Sequence, residues 1–136
     1  ALNNEMQVIF CCGEPLEIRD AGTMNQYVES QVKAGLFHLN AEQFKNVVIA
    51  YEPIWAIGGD KPATTNECFE MVIAIRRALV ELVGMDNAKK ISILYGGTVN
   101  KDNAALFIEE AGVDGLLIGR ASQNVSDFYS IIKACI

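Results

Sequence analysis

The feature that most constrains the fold is a rhythm of short apolar runs and amphipathic segments, repeated four times along the chain. The apolar runs, each predicted to be a strand, are residues 7–12, 47–51, 91–95 and 115–118. They are continuously apolar rather than alternating, which is typical of strands buried on both faces of a parallel sheet. Consecutive strand–helix units with right-handed crossovers therefore predict an α/β fold with a parallel sheet.

The segments between these runs carry helix signals. Helices are predicted over residues 24–37, from a cap at Thr64 to Val83, from a cap at Asn100 to about Ala111, and from about Ser126 onward. Thr64-Thr65-Asn66-Glu67 has the pattern of a capping box. On the helix that follows, Phe69, Val72 and Ile73 are predicted core residues, and Arg76 and Arg77 are predicted to lie on a solvated face.

The balance of strands and helices favours a barrel over a doubly wound sheet, because the helices are amphipathic enough for only one covering layer. A barrel of eight βα units takes about 250 residues. This chain has 136 residues and four units, so the sequence predicts half of a barrel. Residues 1–136 are expected to form a single domain that is incomplete without the other half. The chain begins at Ala1 without Met, which suggests processing or a piece of a longer protein.

Composition narrows the class of partner. The net charge of −6 argues against nucleic acid or an anionic membrane, and no apolar run approaches the roughly 20 residues of a membrane helix. The four cysteines and the single His38 lack zinc spacing, so neither a metal nor a cofactor is predicted. Reduced thiols in the cytoplasm are the expected state of these cysteines, and His38 is predicted to be a surface or packing residue.

A carboxylate follows the second apolar run directly. Glu52 is therefore expected at the carboxyl end of a strand, where parallel α/β folds place their chemistry. Residues 53–63, which we call the lid, are apolar but rich in Gly and Pro, so neither helix nor strand is predicted there. An apolar loop beside a lone carboxylate indicates a water-poor site with Glu52 as a general base.

The last two predicted strands end in residues suited to binding an anion. Gly96 and Gly97 let a ligand approach the backbone closely, although a turn alone would explain them equally well. After the fourth strand, Gly119 and Arg120 can offer successive backbone N–H groups. Phosphate sites in barrels commonly use the loops after the last two strands, so the coincidence of both motifs with the lid predicts a phosphate site.

Four stretches resemble triosephosphate isomerases, and together they extend the resemblance over essentially the whole chain. They are Cys-Cys-Gly-Glu at 11–14, Val-Ile-Ala-Tyr-Glu-Pro-Ile-Trp-Ala-Ile-Gly at 48–58, Leu-Tyr-Gly-Gly-Thr-Val at 94–99, and Asp-Gly-Leu-Leu-Ile-Gly-Arg-Ala-Ser at 114–122. The resemblance implies the last four units of a (βα)8 TIM barrel. It also implies a cytoplasmic, homodimeric enzyme of glycolysis and gluconeogenesis that interconverts dihydroxyacetone phosphate and D-glyceraldehyde 3-phosphate through an enediolate.

The same resemblance assigns roles to individual residues. Glu52 matches the general base. The positions that match substrate-binding residues, mostly through backbone N–H groups, are Gly58, Thr98, Leu117, Gly119 and Arg120. The positions that match lid and supporting residues are Ile57, Trp55, Tyr95, Ala63, Cys11 and Glu14. Among these, Trp55 is expected to anchor the hinge, and Tyr95 to latch the lid onto the backbone near Ala63.

The chain departs from the family pattern in the lid and at the phosphate site. Residues 58–63 are Gly-Gly-Asp-Lys-Pro-Ala, where the family more often has Gly-Thr-Gly-Lys-Thr-Ala. Asp60 adds a negative charge, Pro62 stiffens the second hinge, and Arg120 stands where Gly is more usual. The family's catalytic Lys and electrophilic His come from the first half of the barrel, which is absent from this sequence.

Three functions stay open at this point. The first is triosephosphate isomerase, with the other half of the barrel supplied by another chain or lost. The second is a different phosphate-binding barrel enzyme, which the lid motif argues against. The third is a catalytically incomplete half barrel that self-associates, because exposed strand edges demand pairing. The expected partners are therefore a triose phosphate and either an N-terminal half barrel or a second copy of this chain.

Overall fold

The computed structural model describes residues 1–58 and 61–136, and the expectation for Asp60 falls outside them. It contains one sheet of four parallel strands: β1 (Val8–Cys12), β2 (Val47–Tyr51), β3 (Ile93–Tyr95) and β4 (Gly115–Leu116). The strands lie side by side in chain order. Each is followed by helix, so the predicted α/β fold with a parallel sheet is confirmed.

Within the described residues, six α-helices accompany the strands. They are α1 (Leu16–Asp20), α2 (Met24–Leu36), α3 (Thr65–Val83), α4 (Met85–Ala88), α5 (Ala104–Glu110) and α6 (Val125–Ala134). The capping box at the start of α3 is present, and Gly84 ends that helix at a φ of 77°. The very short α1 and α4 were not predicted, because four or five residues are too few for a helical period to show.

The predicted start of α5 at Asn100 is wrong. The Asn100 side chain accepts hydrogen bonds from the backbone N–H groups of Asp102 and Asn103, at 2.8 and 3.1 Å. These bonds close a turn ahead of the helix, which begins only after Asn103. Asn favours such turns as strongly as it favours helix caps, so the sequence alone did not separate the two.

One face of the sheet is covered by helices and the other is open. On the covered face, Tyr51, Ile93 and Tyr95 are completely buried, and the Tyr95 ring stacks on Phe107 of α5 with centroids 3.9 Å apart. On the opposite face Ile9 keeps 50% of its surface exposed. Cys11, its neighbour on that face, is exposed as well. A single helical layer is the arrangement expected of a barrel segment rather than of a doubly wound sheet.

The long helix α3 corrects two sequence-based expectations. Phe69 and Ile73 are 46% and 47% exposed rather than core residues, whereas Val72 is buried as expected. Arg76 is not on a solvated face: its guanidinium donates to the carbonyl oxygens of Ala88 and Ile91 and lies 3.5 Å from Asp114. The first carbonyl belongs to the last residue of α4 and the second lies just before β3, so the periodicity of α3 alone could not reveal these contacts.

None of the helices within residues 1–58 and 61–136 combines the length and the apolar character needed to cross a membrane.

Candidate active site

The carboxyl ends of β2, β3 and β4 surround a cavity of about 840 Å³. This is the edge at which parallel α/β folds place their ligands. Of the predicted catalytic, lid and substrate-binding residues, the following line the cavity: Glu52, Ile57, Gly58, Thr98, Leu117, Gly119 and Arg120. The residues that the sequence assigns to the base and to the phosphate therefore share one site.

Glu52 extends the β1–β2 ladder by one step, since its backbone N–H donates to Cys12 at 2.8 Å. Its side chain lies against Gly96 at the end of β3. A Cβ at that position would come within 2.7 Å of the Glu52 Cγ and 3.1 Å of Oε1. Gly96 is therefore needed because a side chain there would displace the Glu52 carboxylate. This reason is more specific than the turn that the sequence alone indicated.

Cys11 lies beside Glu52 on the open face of the sheet. Partial burial raises the pKa of the Cys11 thiol, and the charge of the Glu52 carboxylate and a hydrogen bond to it raise it further. On the covered face, burial is the main cause that raises the pKa of Cys12 to about 12. The Cys11 thiol is thus held neutral next to the carboxylate, in agreement with its expected position near the base.

The cavity is also lined by backbone donors. Among the described residues, the backbone N–H groups of Gly58, Thr98, Gly119 and Arg120 find no backbone acceptor. Thr98 is fixed by its own side chain, whose hydroxyl donates to the Ala56 carbonyl at 2.6 Å. Grouped N–H donors without acceptors form an anion-binding concavity.

Arg120 adds a positive charge to this group of donors. It begins a 3-10 turn, Arg120–Gln123, after β4. One nitrogen of its guanidinium, Nη2, lies 3.7 Å from the position that a Cβ on Gly58 would occupy. The side chain therefore reaches from the end of β4 to the lid and places a cation at the edge of the cavity.

The first hinge of the lid is held by a buried carboxylate. Glu14 has no exposed surface, and its Oε1 accepts hydrogen bonds from Trp55 Nε1 at 2.8 Å and from the Tyr51 hydroxyl at 3.1 Å. Arg19 Nη1 donates to the same oxygen at 3.2 Å. The structure thus brings Glu14 and Trp55 together, as their predicted supporting roles require.

The second hinge, at the Ala63 end of the lid, has fewer contacts that hold it. The Tyr95 hydroxyl is buried and, among the described residues, has no hydrogen-bond partner. The Ala63 backbone faces it without reaching hydrogen-bonding geometry. Burial raises the pKa of Tyr95, so its proton stays available for donation. Tyr95 and Ala63 are therefore neighbours without a hydrogen bond between them, and the latch stays a prediction.

Sequence reasoning missed Arg19 and Glu67 at this site. Glu67 was noticed only as part of a helix cap, and no local pattern distinguishes Arg19 from other surface arginines. Neither lines the cavity; they contact each other, Glu14 and Thr64, and these contacts join elements far apart in sequence. His38, in contrast, is exposed and lies away from the cavity, as predicted.

Comparisons with known proteins agree with this arrangement. The family described as triosephosphate isomerase matches residues 1–135. Relatives of that name include one from Chloroherpeton thalassium, 46% identical over 98% of this chain, and one from Clostridium beijerinckii, 42% identical over 98%. A third, from Chlorobium phaeobacteroides, is 43% identical over the full 136 residues.

These alignments cover 53% to 54% of each relative, so the chain spans about half the length of the curated relatives it matches. Four parallel strands in chain order, covered on one face, agree with the predicted segment of a TIM barrel. By its sequence and its fold, the chain belongs to the triosephosphate isomerase family.

Proposed function

We propose that this chain supplies the base-bearing half of a triosephosphate isomerase, which interconverts dihydroxyacetone phosphate and D-glyceraldehyde 3-phosphate. The observation that carries the proposal is that Glu52 and the backbone donors of Gly58, Thr98, Gly119 and Arg120 share one cavity. A triose phosphate needs both a base at its carbon chain and a cradle for its phosphate.

In the proposed reaction Glu52 removes a proton from C1 of dihydroxyacetone phosphate. The electron pair moves onto the carbonyl oxygen at C2, which gives an enediolate. The proton of the C1 hydroxyl is then transferred to the C2 oxygen and the proton held by Glu52 returns to C2, so that C1 becomes the aldehyde. A positioned general base contributes typically 10²- to 10⁴-fold to such a step. The phosphate stays on the side of Gly119 and Arg120, where backbone N–H groups and the guanidinium offset its charge. No cofactor takes part in this proposal.

Ile57 and Leu117 supply the apolar lining near the base. Exclusion of water strengthens electrostatic interactions between the carboxylate and a substrate. We assign Trp55 to the hinge through its hydrogen bond to Glu14, and Tyr95 to a latch for Ala63. Within the described residues that line the cavity, Arg120 is the only cation, so further stabilisation of the enediolate must come from other residues.

We propose an N-terminal half barrel as the partner that completes the site. Two features support it: the relatives are about twice as long as this chain, and apolar residues stay uncovered both on the open face of the sheet and on the last helix. Ile9 lies on the open face, and Phe128 and Ile132 of α6 are 38% and 42% exposed. Closure would pair both free sheet edges, which otherwise remain open to association.

The complete protein is proposed to be a homodimer that acts in glycolysis and gluconeogenesis. We propose the cytoplasm as its compartment. All four cysteines are free, which is usual where thiols are kept reduced.

A second candidate function is a half barrel that self-associates without turnover. The same open face and free edges favour it, since two copies of four strands could close an eight-stranded barrel. In that case the partner of this chain is a second copy of itself.

The test is to assay isomerisation of glyceraldehyde 3-phosphate by two proteins. One is this chain alone. The other, called the assembled barrel below, is a fusion of the N-terminal half of the Chloroherpeton thalassium relative to Ala1 of this chain. The proposal predicts turnover only by the assembled barrel. A folded assembled barrel without activity would contradict it, and light scattering that gives a stable pair of 136-residue chains would favour self-association.

A further inference from the structure

We infer that Arg19 links the two ends of the lid, so that a displacement of Trp55 at one end changes the hydrogen bonding that holds Thr64 at the other. Arg19 is a positioning residue in this scheme and does not touch the cavity. Only the catalytic consequence rests on the proposed function, because the contacts themselves belong to the folded chain.

At the first end, Arg19 and Trp55 share an acceptor. Both Arg19 Nη1 and Trp55 Nε1 donate to Oε1 of the buried Glu14. The guanidinium carbon of Arg19 also lies 5.2 Å from the centroid of the Trp55 ring, within the range of a cation–π contact. A shift of the indole therefore disturbs the guanidinium both directly and through Glu14.

At the second end, Arg19 reaches the helix cap that terminates the lid. Its Nη2 lies 3.5 Å from Oε1 of Glu67. The other oxygen of Glu67, Oε2, accepts from the backbone N–H and the hydroxyl of Thr64, both at 2.8 Å. One carboxylate is thus divided between Arg19 and the first residue after the lid.

The chemistry of arginine suits this link. A guanidinium is planar and carries its donors in a fixed fork, so its two nitrogens cannot reorient independently. The Arg19 side chain is only 11% exposed, which limits its freedom further. Glu14 Oε2, in addition, is buried without a partner among the described residues. That oxygen can accept a hydrogen bond if Trp55 or Arg19 moves, so the cluster has a second arrangement available.

An isolated surface ion pair would not produce this behaviour. Glu67 is 36% exposed, and exposed pairs contribute little to stability. A purely structural role of Arg19 therefore predicts small effects confined to the substituted residue. If Arg19 links the two ends of the lid, a substitution at one end should produce an effect at the other end.

The test uses Trp55 as the only tryptophan of the chain. Glu67→Gln keeps an oxygen that can cap Thr64 but removes the charge that attracts Arg19. We expect this change to raise the quenching of Trp55 fluorescence by acrylamide under native conditions. In the reverse direction, Trp55→Phe should speed hydrogen exchange of the Thr64 backbone N–H. Arg19→Lys, which removes the fork but keeps the charge, should produce both effects.

The matched control is Lys45→Gln, which breaks an exposed ion pair with Glu42 away from the lid and should alter neither signal. In the assembled barrel, kcat is compared among Trp55→Phe, Glu67→Gln and the double variant that carries both changes. If the two residues are coupled, the fold-loss of kcat in the double variant should differ by at least about twofold from the product of the two single fold-losses, which is the lower end of the range for coupled residues.

Unchanged quenching in Glu67→Gln together with unchanged Thr64 exchange in Trp55→Phe would overturn the inference. Should Arg19→Lys fail to fold, those two variants still decide it. An inactive assembled barrel would refute the proposed function, whereas the quenching and exchange results would still confirm or refute the link.

Discussion

The substitution Gly96→Ala offers a direct test of where Glu52 must stand. The added methyl would lie 2.7 Å from Glu52 Cγ and 3.1 Å from Oε1. Gly96 has a backbone conformation that other residues adopt, since its φ is not among the positive values. The substitution therefore acts on the carboxylate rather than through backbone strain.

The size of the displacement sets the expected effect. Optimal contacts between carbon atoms are about 3.5–4.0 Å, so relief of the clash moves the Glu52 side chain by roughly 1 Å. A misplacement of that size costs on the order of 10²-fold in rate, which corresponds to about 2.7 kcal/mol in the barrier. The loss should appear in kcat, because the three atoms nearest to the added methyl all belong to Glu52.

The assay is kcat and KM of the assembled barrel with and without the substitution, together with the midpoint of thermal unfolding. Gly119→Ala is the matched control for unfolding, because a Cβ there meets nothing within 4 Å. The reasoning would be refuted if Gly96→Ala kept kcat within threefold of the unsubstituted protein. It would also be refuted if the loss came with a fall in midpoint much larger than that of the control.

Three further outcomes are expected. Ellman's reagent should modify Cys11 but not the buried Cys12 in the native chain. Glu52→Gln should speed the reaction of Cys11, because it removes a charge that raises the pKa of the thiol. An unchanged reaction rate would contradict the contact between Cys11 and Glu52. Burial alone would raise the pKa of Glu67, but hydrogen bonds from Thr64 and the charge of Arg19 lower it below the usual 4.5. Its stabilising contribution is therefore complete above pH 4.5 and disappears as the pH falls through the lowered value, a loss that an acid series of unfolding midpoints should find absent in Glu67→Gln. Finally, Arg120→Ala should raise KM of the assembled barrel about tenfold with little change in kcat, the effect expected when a hydrogen bond to a charged group is lost. An unaltered KM would show that the Arg120 side chain does not contact the phosphate.

The sequence was sufficient where local chemistry determines structure. Val47–Tyr51 was predicted with its observed bounds, since a continuous apolar run bounded by polar residues leaves few alternatives. The cap at Thr64 was predicted because both of its hydrogen bonds lie within four residues. Glu52 was placed at a strand end for the same reason: its position follows from the strand that precedes it.

The sequence was insufficient where contacts join distant elements. Arg76 was expected in solvent, yet it binds carbonyls at the end of α4 and just before β3. Arg19 and Glu67 come together only because α1 packs near the start of α3. The helix start predicted at Asn100 was wrong for a different reason: a turn and a helix cap use the same kind of side-chain hydrogen bond. Packing and competition between local motifs, rather than composition, account for these differences.

The most direct test of the central claim is the rate of the assembled barrel with Glu52→Gln, measured beside Glu42→Gln. Glu42 is an exposed carboxylate whose side chain is 78% accessible, so its substitution controls for loss of charge alone. If Glu52 is the base, kcat falls by about 10²- to 10⁴-fold while KM and the unfolding midpoint stay close to those of the control. A Glu52→Gln barrel that is folded and keeps kcat within a few-fold of the control would contradict the account.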